Sequence, residues 1–502
     1  TRLIVDIRRN DNGKKIINVI SDIADLTISG DYQITSLGKV FAREGEIIRA
    51  AMSEKLNPVF SPDLSDSLNQ HNLAEEEYIP VKDFSLEYLL DFKDAMKINL
   101  GQDQIALDGQ IDGKMKSLND SLTVNLNSNF DYLKYWNEKD VYFIVNSKLT
   151  CDLSNHLADG YTGNLAAVIN FNADRIYAGG NIYNVTSAIS LENDDLKFSM
   201  EAQYEENIQT SLNASAVFAG ERLDVIVDKF NLVYNELKIH NKKNLLLAYA
   251  NQSINFDDFV LQIADGTLIA SGSFGATGEH NATITLDSLS GSRTVKDIMG
   301  NLGEKEFKAD ITMNAKLHGN FSYPKFEVVA SAKNIRYGAG NFGSLLSTFS
   351  YSDNSLITDI RFLDSTQNYD SPALLVTGMI PINLTSQKDS SIKSSKLIDL
   401  TVQSDEYDLS SLKDIFPYVQ FQKGKLETDI YLSGTISKPV AVGYLSLNDA
   451  RFKLKYNNLD YDLSSKIWVD DEEITIESML LQNVFGTRQG GTLNGSGFVK
   501  LD

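Results

Sequence analysis

Most of this chain alternates apolar and polar residues with a period of two, the pattern of strands that bury one face. In "KLETDIYLSG" the residues Leu426, Ile430 and Leu432 fall on one side, and Glu427, Asp429 and Ser433 on the other. "DITMNAKLHG" repeats this through Ile311, Met313, Ala315 and Leu317, and "LTVNLNSNF" through Leu122, Val124 and Leu126. Such segments recur between Asp-Gly, Gly-Glu, Asn-Asp and Asp-Asp turns. The chain has 8 prolines. None lies between Pro80 and Pro324, which suits long unbroken sheet.

Helical spacing is rare. It predicts an amphipathic helix over Ser36 to Lys55, through Val40, Ile47, Ile48, Ala51 and Met52, and a second over Val81 to Met96. Shorter helices are expected from Thr294 ("TVKDIMGNLG") and from Leu409 ("LSSLKDIFPYV"). The polar, Pro-bearing stretch "NPVFSPDLSDSLNQHNLAEEEYIP" between the first two reads as a linker. The first helix mixes Lys39, Arg43 and Arg49 with Glu44 and Glu46. It lacks the basic face of a membrane-surface helix, so packing against the sheet is expected.

The strands are organised in repeats. "HGNFSYPKFEVVASAKNIRY" (His318 to Tyr337) returns as "SGTISKPVAVGYLSLNDARF" (Ser433 to Phe452), with Gly319 over Gly434, Pro324 over Pro439 and Arg336 over Arg451, 115 positions apart. A third copy of the centre, "INFNADRIY", carries Arg175, and "GTLIASG" from Gly266 matches "GTLNGSG" from Gly491. Units of this length point to an array in which each packs on its neighbours. The expected division is the end of an upstream β module (1–35), a helical and linker insertion (36–97), β modules (98–292), and two repeat modules (293–408 and 409–502). About thirty strands exceed what one sandwich or small barrel absorbs, so the expected fold is mostly β, an elongated curled sheet forming an open half-pipe with a hydrophobic concave face and a few short helices.

Composition narrows the chemistry. The net charge of −22 repels nucleic acid and, at long range, anionic head groups. The single cysteine, Cys151, rules out an internal disulfide or a thiolate zinc cluster. The 5 histidines show no pair at metal-ligand spacing, and Ser390 to Lys393, a Ser-x-x-Lys, lies in the low-complexity run "SQKDSSIKSSK". No P-loop and no dinucleotide-binding glycine motif is present, so no enzyme, metal or cofactor is expected. No run of about 18 apolar residues occurs. With Thr1 at the start and "GSGFVKLD" ending on a strand pattern, the chain reads as an excerpt.

Together "YLSGTISKPVAVGYLSLNDARF", "NNLDYDLSSKIWVDDEEITIESMLLQNVFGT" and "GGTLNGSGFV" resemble the C-terminal region of bacterial TamB and AsmA-like envelope proteins, relatives of the bridge-like lipid transfer proteins. "LTISGDYQITSLGKVFAREGEIIRAAMSEKLNP" and "DFKDAMKINLGQDQIALDGQIDGKM" resemble chains of the Bacteroidetes type. The resemblance implies a periplasmic hydrophobic groove bridging inner and outer membranes and conducting phospholipid acyl chains. It also implies an inner-membrane anchor outside this chain and docking to an Omp85-type outer-membrane barrel. The groove lining would be Leu122, Val124, Leu126, Ile311, Met313, Leu317, Leu426, Ile430 and Leu432.

Two other classes compete. One is a periplasm-spanning scaffold or outer-membrane assembly factor that carries no lipid. The other is an outer-membrane β-barrel, disfavoured by the interposed helices, the long repeat and scattered aromatics, clustered only at Tyr132, Tyr135 and Trp136. For Arg175, Arg336 and Arg451, pairing with a carboxylate such as Asp174 or Asp449 is expected rather than a lipid phosphate. Gly434 and Pro439 should set a turn, while Gly266, Gly272, Gly491, Gly495 and Gly497 should bend or bulge the sheet.

Overall fold

A computed structural model describes residues 3–33, 83–100, 103–118, 121–156, 165–275, 280–291, 307–320, 323–338, 340–363, 372–384, 397–413, 415–485 and 488–501. These hold 28 strands in a single antiparallel sheet. The chain divides into two compact units, Thr1–Phe256 and Asp257–Asp502.

The first unit carries β1 (Leu3–Arg9), β2 (Lys15–Ser21), β3 (Ala24–Asp31), β4 (Phe84–Leu100), β5 (Asp103–Leu118), β6 (Ser121–Trp136) and β7 (Val141–His156). It continues with β8 (Ala166–Ala178), β9 (Asn181–Glu192), β10 (Asp195–Tyr204), β11 (Ile208–Ala219), β12 (Arg222–Tyr234), β13 (Leu237–Asn241) and β14 (Leu245–Ala250). From β1 to β12 each strand pairs with the next, a meander. The far edge of β12 is then shared by β13 and β14. Asn241 bridges that split: its amide oxygen accepts from Phe230 N–H (2.6 Å), and its amide nitrogen reaches the carbonyls of Val227, Asp228 and Lys243.

β15 (Ser253–Ile263) spans the division between the units. The second unit carries β16 (Gly266–Gly275), β17 (His280–Ser290), β18 (Phe307–Gly319), β19 (Pro324–Tyr337), β20 (Gly340–Ser352), β21 (Ser355–Leu363) and β22 (Leu374–Pro381). It ends with β23 (Asp399–Asp408), β24 (Val419–Thr435), β25 (Lys438–Leu454), β26 (Leu459–Val469), β27 (Glu473–Phe485) and β28 (Arg488–Lys500). From β16 to β28 each strand again pairs with the next.

The sequence repeat is also a conformational repeat. Gly319 and Gly434 both adopt positive φ (78° and 81°) and sit opposite Pro324 and Pro439 at the tips of the β18–β19 and β24–β25 hairpins. A Cβ on either would fall 2.1 Å from Tyr323 O or 2.5 Å from Lys438 O, so the turn requires glycine at both places. Asn334 and Asp449, again 115 apart, are both left-handed (φ 56° and 49°). Each lies in a bulge at the same repeat position, between Ala332 and Ile335 or between Leu447 and Ala450. Asn and Asp tolerate this conformation better than other residues bearing a Cβ.

The helix expected over Val81 to Met96 is not formed; β4 occupies Phe84–Leu100. Phe84, Leu86, Tyr88, Leu90 and Phe92 are a period-two series that a helix would scatter around its axis. In the strand, Phe84 and Leu86 are buried while Ser85, Glu87 and Leu89 are exposed. The segment from Leu409 makes only a 3-10 turn, Leu409–Leu412, with the Asp408 carboxylate accepting from Ser410 N–H. The helices expected from Ser36 and Thr294, and the linker between the first two, lie outside the described residues.

Large side chains are seldom enclosed. Tyr351 is the only large one under 2% exposed among the described residues. The buried apolar clusters are small, one joining Tyr32, Phe84, Leu86, Met115 and Leu122 and the other Leu165 and Leu191. A second packed layer over either unit's sheet would bury far more.

Candidate functional site

Residues directly opposite each other in a ladder share a face, so the registers trace each face from strand to strand. Starting at Leu126, the face passes to Gly113 and Cys151, then Ile169, Ile189, Phe198, Ala214, Val227 and Leu245. A parallel row runs Val19, Leu26, Leu90, Ile111, Ser128, Leu149, Phe171. In the second unit Leu317 connects Ala282 to Phe326 and Tyr351, and Ile430 connects Val402 to Gly443 and Val469. On this face, charged residues in registered pairs occur only at strand ends, as with Arg9, Lys15 and Asp103.

The nine residues expected to line a groove lie on the apolar face of their own unit's strands. Leu122, Val124 and Leu126 are successive positions of β6 on that face, Ile311, Met313 and Leu317 belong to β18, and Leu426, Ile430 and Leu432 to β24. β18 shows the pattern most regularly: Ile311, Met313 and Leu317 are half-buried and Ala315 is buried, whereas Asp310, Thr312, Asn314 and Lys316 are exposed.

The two faces differ in how well they are shielded. Large apolar residues exposed on interior strands, such as Leu89, Val168, Ile226, Val329, Ile357, Val442 and Leu480, point to the polar face. Those on the apolar face of interior strands are mostly half-buried, and small polar residues there, Ser128, Ser347, Thr358, Ser404, Thr428 and Ser465, are buried. At β1 and β28, which lack a described neighbour on one side, Leu3, Val5, Ile7, Leu493 and Val499 of the same face become exposed.

Glycines within the strands account for part of this. Gly443 has φ 147°, and a Cβ there would lie 2.0 Å from Asp429 O and 2.8 Å from Ile430 Cα in the next strand. Gly378 is the same against Asp399 O, at 1.9 Å. Gly30, Gly109 and Gly272 repeat the arrangement, all on the apolar face. Without a Cβ the adjoining backbone approaches from that side, which is how a glycine kinks a sheet. Of the glycines read from sequence as bends, Gly272 and Gly266 are crowded in this way, whereas Gly491 and Gly497 have nothing within 4 Å and are not sterically required.

The repeated arginines all project to the polar face. Arg451 makes a two-pronged pair with Asp462 on β26 (2.6 and 2.7 Å), holding that carboxyl below its usual range. Arg175 donates to Asn181 and lies over the rings of Phe143 and Tyr183, and Arg336 is exposed. The expected partners are corrected: Asp174 accepts from Asn146 and Asp449 forms the bulge, because the strand pairing brings nearer partners from the next strand.

Compared with known proteins, the chain matches no family model and no curated protein. Among the described residues no three His, Cys, Asp or Glu side chains gather as a metal site, and no helix is long and apolar enough to cross a membrane. The most extensive chemical feature is the apolar face itself. It offers contact to hydrocarbon and little that would fix a polar ligand.

Proposed function

We propose that this chain is a non-enzymatic conduit for phospholipid acyl chains, acting in a bacterial envelope as a TamB/AsmA-like protein, with the apolar face curled into a groove. The observation that supports this reading is how far that face is withdrawn from solvent in each unit. Small polar residues of that face are buried with no packed second layer among the described residues, while the apolar face of each unit opens to solvent at its terminal strand, β1 or β28. A hydrocarbon chain lying there escapes water at about 0.8 kcal/mol per CH2. A lining of Leu, Ile, Val, Met and Phe holds no position strongly, so a chain can slide. Head groups stay in solvent along the open side.

The test is native mass spectrometry with lipid extraction on the 502-residue chain purified without detergent. Retained phospholipid should disappear in Ile430→Asp. Val442→Asp, the same chemical change on the opposite face at a side chain 45% exposed, should retain it. Cys151 gives a second readout: it sits between Leu126 and Ile169 on the apolar face, so bound lipid should slow its reaction with a maleimide. A lipid-free protein, or equal loss in both variants, would remove the conduit reading in favour of a scaffold that spaces two partners.

A further inference from the structure

At one rim of the second unit two turns meet. The segment following the 3-10 turn exposes Ile415, Phe416 and Tyr418, the last at 72%, and the turn between β25 and β26 exposes Tyr456 at 95%. They are tied together by Lys455 N–H donating to Tyr418 O (3.0 Å). Isolated exposed apolar residues are ordinary, but four on two adjoining turns make a patch. The patch is continuous with the apolar face: the ring of Phe416 lies 5.9 Å from Phe421, which leads to Phe452 at 6.0 Å and on to Tyr461 at 5.8 Å.

The charges around it run against the chain's acidic balance. Lys413, Lys423, Lys453 and Lys455 surround the two turns, and none has a salt bridge among the described residues. Of the nearby acids, Asp462 is paired with Arg451 and Glu406 with Lys425; Asp460, opposite Lys453, accepts from Gln422, and Asp414 follows Lys413 in the sequence. Aromatic tips flanked by these four lysines match an interface with hydrocarbon below and phosphate above. The overall negative charge acts at long range and is screened within about 10 Å at moderate salt, so the local lysines decide the contact.

We propose that this rim, Ile415, Phe416, Tyr418 and Tyr456 with Lys413, Lys423, Lys453 and Lys455, docks on an anionic lipid bilayer and inserts its aromatic tips among the head groups. This stands apart from acyl-chain binding by the groove.

Flotation of the full chain with phosphatidylcholine vesicles, with and without phosphatidylglycerol, tests it. Binding should require phosphatidylglycerol and weaken as salt rises. Tyr418→Ser/Tyr456→Ser should lower the partition coefficient about tenfold or more, and Lys413→Glu/Lys455→Glu by about fivefold or more per lysine. Neither tyrosine hydroxyl makes a hydrogen bond among the described residues, so these variants should keep the β spectrum of the parent. Ile430→Asp should float normally even while losing retained lipid, which separates this surface from the groove. Failure of the parent chain to float, flotation indifferent to salt and phosphatidylglycerol, or variants that float like the parent would overturn the assignment. A partner protein captured at this rim, with no vesicle binding, would overturn it equally.

Discussion

Replacing Gly443 by alanine should break the sheet locally at the β24–β25 ladder. Two costs add. The positive φ of 147° is open to glycine and costs an L-residue about 1–3 kcal/mol. The new Cβ would also stand 2.0 Å from Asp429 O and 2.8 Å from Ile430 Cα, distances that atoms of these kinds do not keep. Relief requires the two strands to part, which sacrifices ladder hydrogen bonds at about 1 kcal/mol each. The expected loss is about 2–4 kcal/mol. In a repeat array such a loss appears as local opening rather than global unfolding. Amide hydrogen exchange from Thr428 to Val442 should therefore accelerate by roughly 30- to 1000-fold, since each 1.4 kcal/mol is a factor of ten. Gly497→Ala is the matched control: nothing lies within 4 Å of its Cβ and its φ is not in the positive range, so exchange there should be unchanged or slower. Equal protection in Gly443→Ala and the parent chain would refute the account of the close approach at Gly443.

Three further outcomes follow from local geometry. His280 is buried, stacked on Phe274 at 4.1 Å, and its Nδ1 accepts from Gly275 N–H, so burial holds its pKa below the ordinary value. A depressed histidine means the unfolded state binds more protons, so stability is complete above the unfolded pKa of about 6.5 and falls as pH drops below it; denaturant midpoints between neutral and mildly acidic pH should show the fall, and His280→Gln should flatten it. Asn241→Ala removes the side chain bridging the split at β12, leaving Phe230 N–H and three carbonyls without it, and should cost about 1–3 kcal/mol, seen as faster exchange confined to β12–β14. Asp462→Asn should cost at most about 1 kcal/mol because its pair with Arg451 is a third exposed (33% and 36%). The depressed Asp462 pKa makes that contribution present above the unfolded carboxylate value and lost as pH falls through the folded one, so the parent and variant should converge in acid melts.

The period-two alternation by itself determined that the chain is β and which side of each strand is apolar, because a strand's side chains can only alternate. Leu122 in the first unit, and Met313 and Ile430 in the second, each lie on the side of their strand that alternation marks as apolar. The 115-residue repeat was legible too, in Gly319 with Gly434, Pro324 with Pro439 and Arg336 with Arg451, whereas the shared left-handed conformation of Asn334 and Asp449 came from the structure. Over 81–96 the apolar residues are dense enough to satisfy two periods at once, and only pairing with β3 and β5 decided for a strand. Tertiary structure alone decided that half-buried rows from many strands join into one face within each unit, because register is a relation between separate segments of the chain. It alone placed Arg451 beside Asp462 rather than Asp449, and brought Tyr418 beside Lys455 and Tyr456. The close approaches at Gly378 and Gly443 required both: the sequence marks a glycine in a strand, but the neighbouring carbonyl that forbids a side chain belongs to another strand.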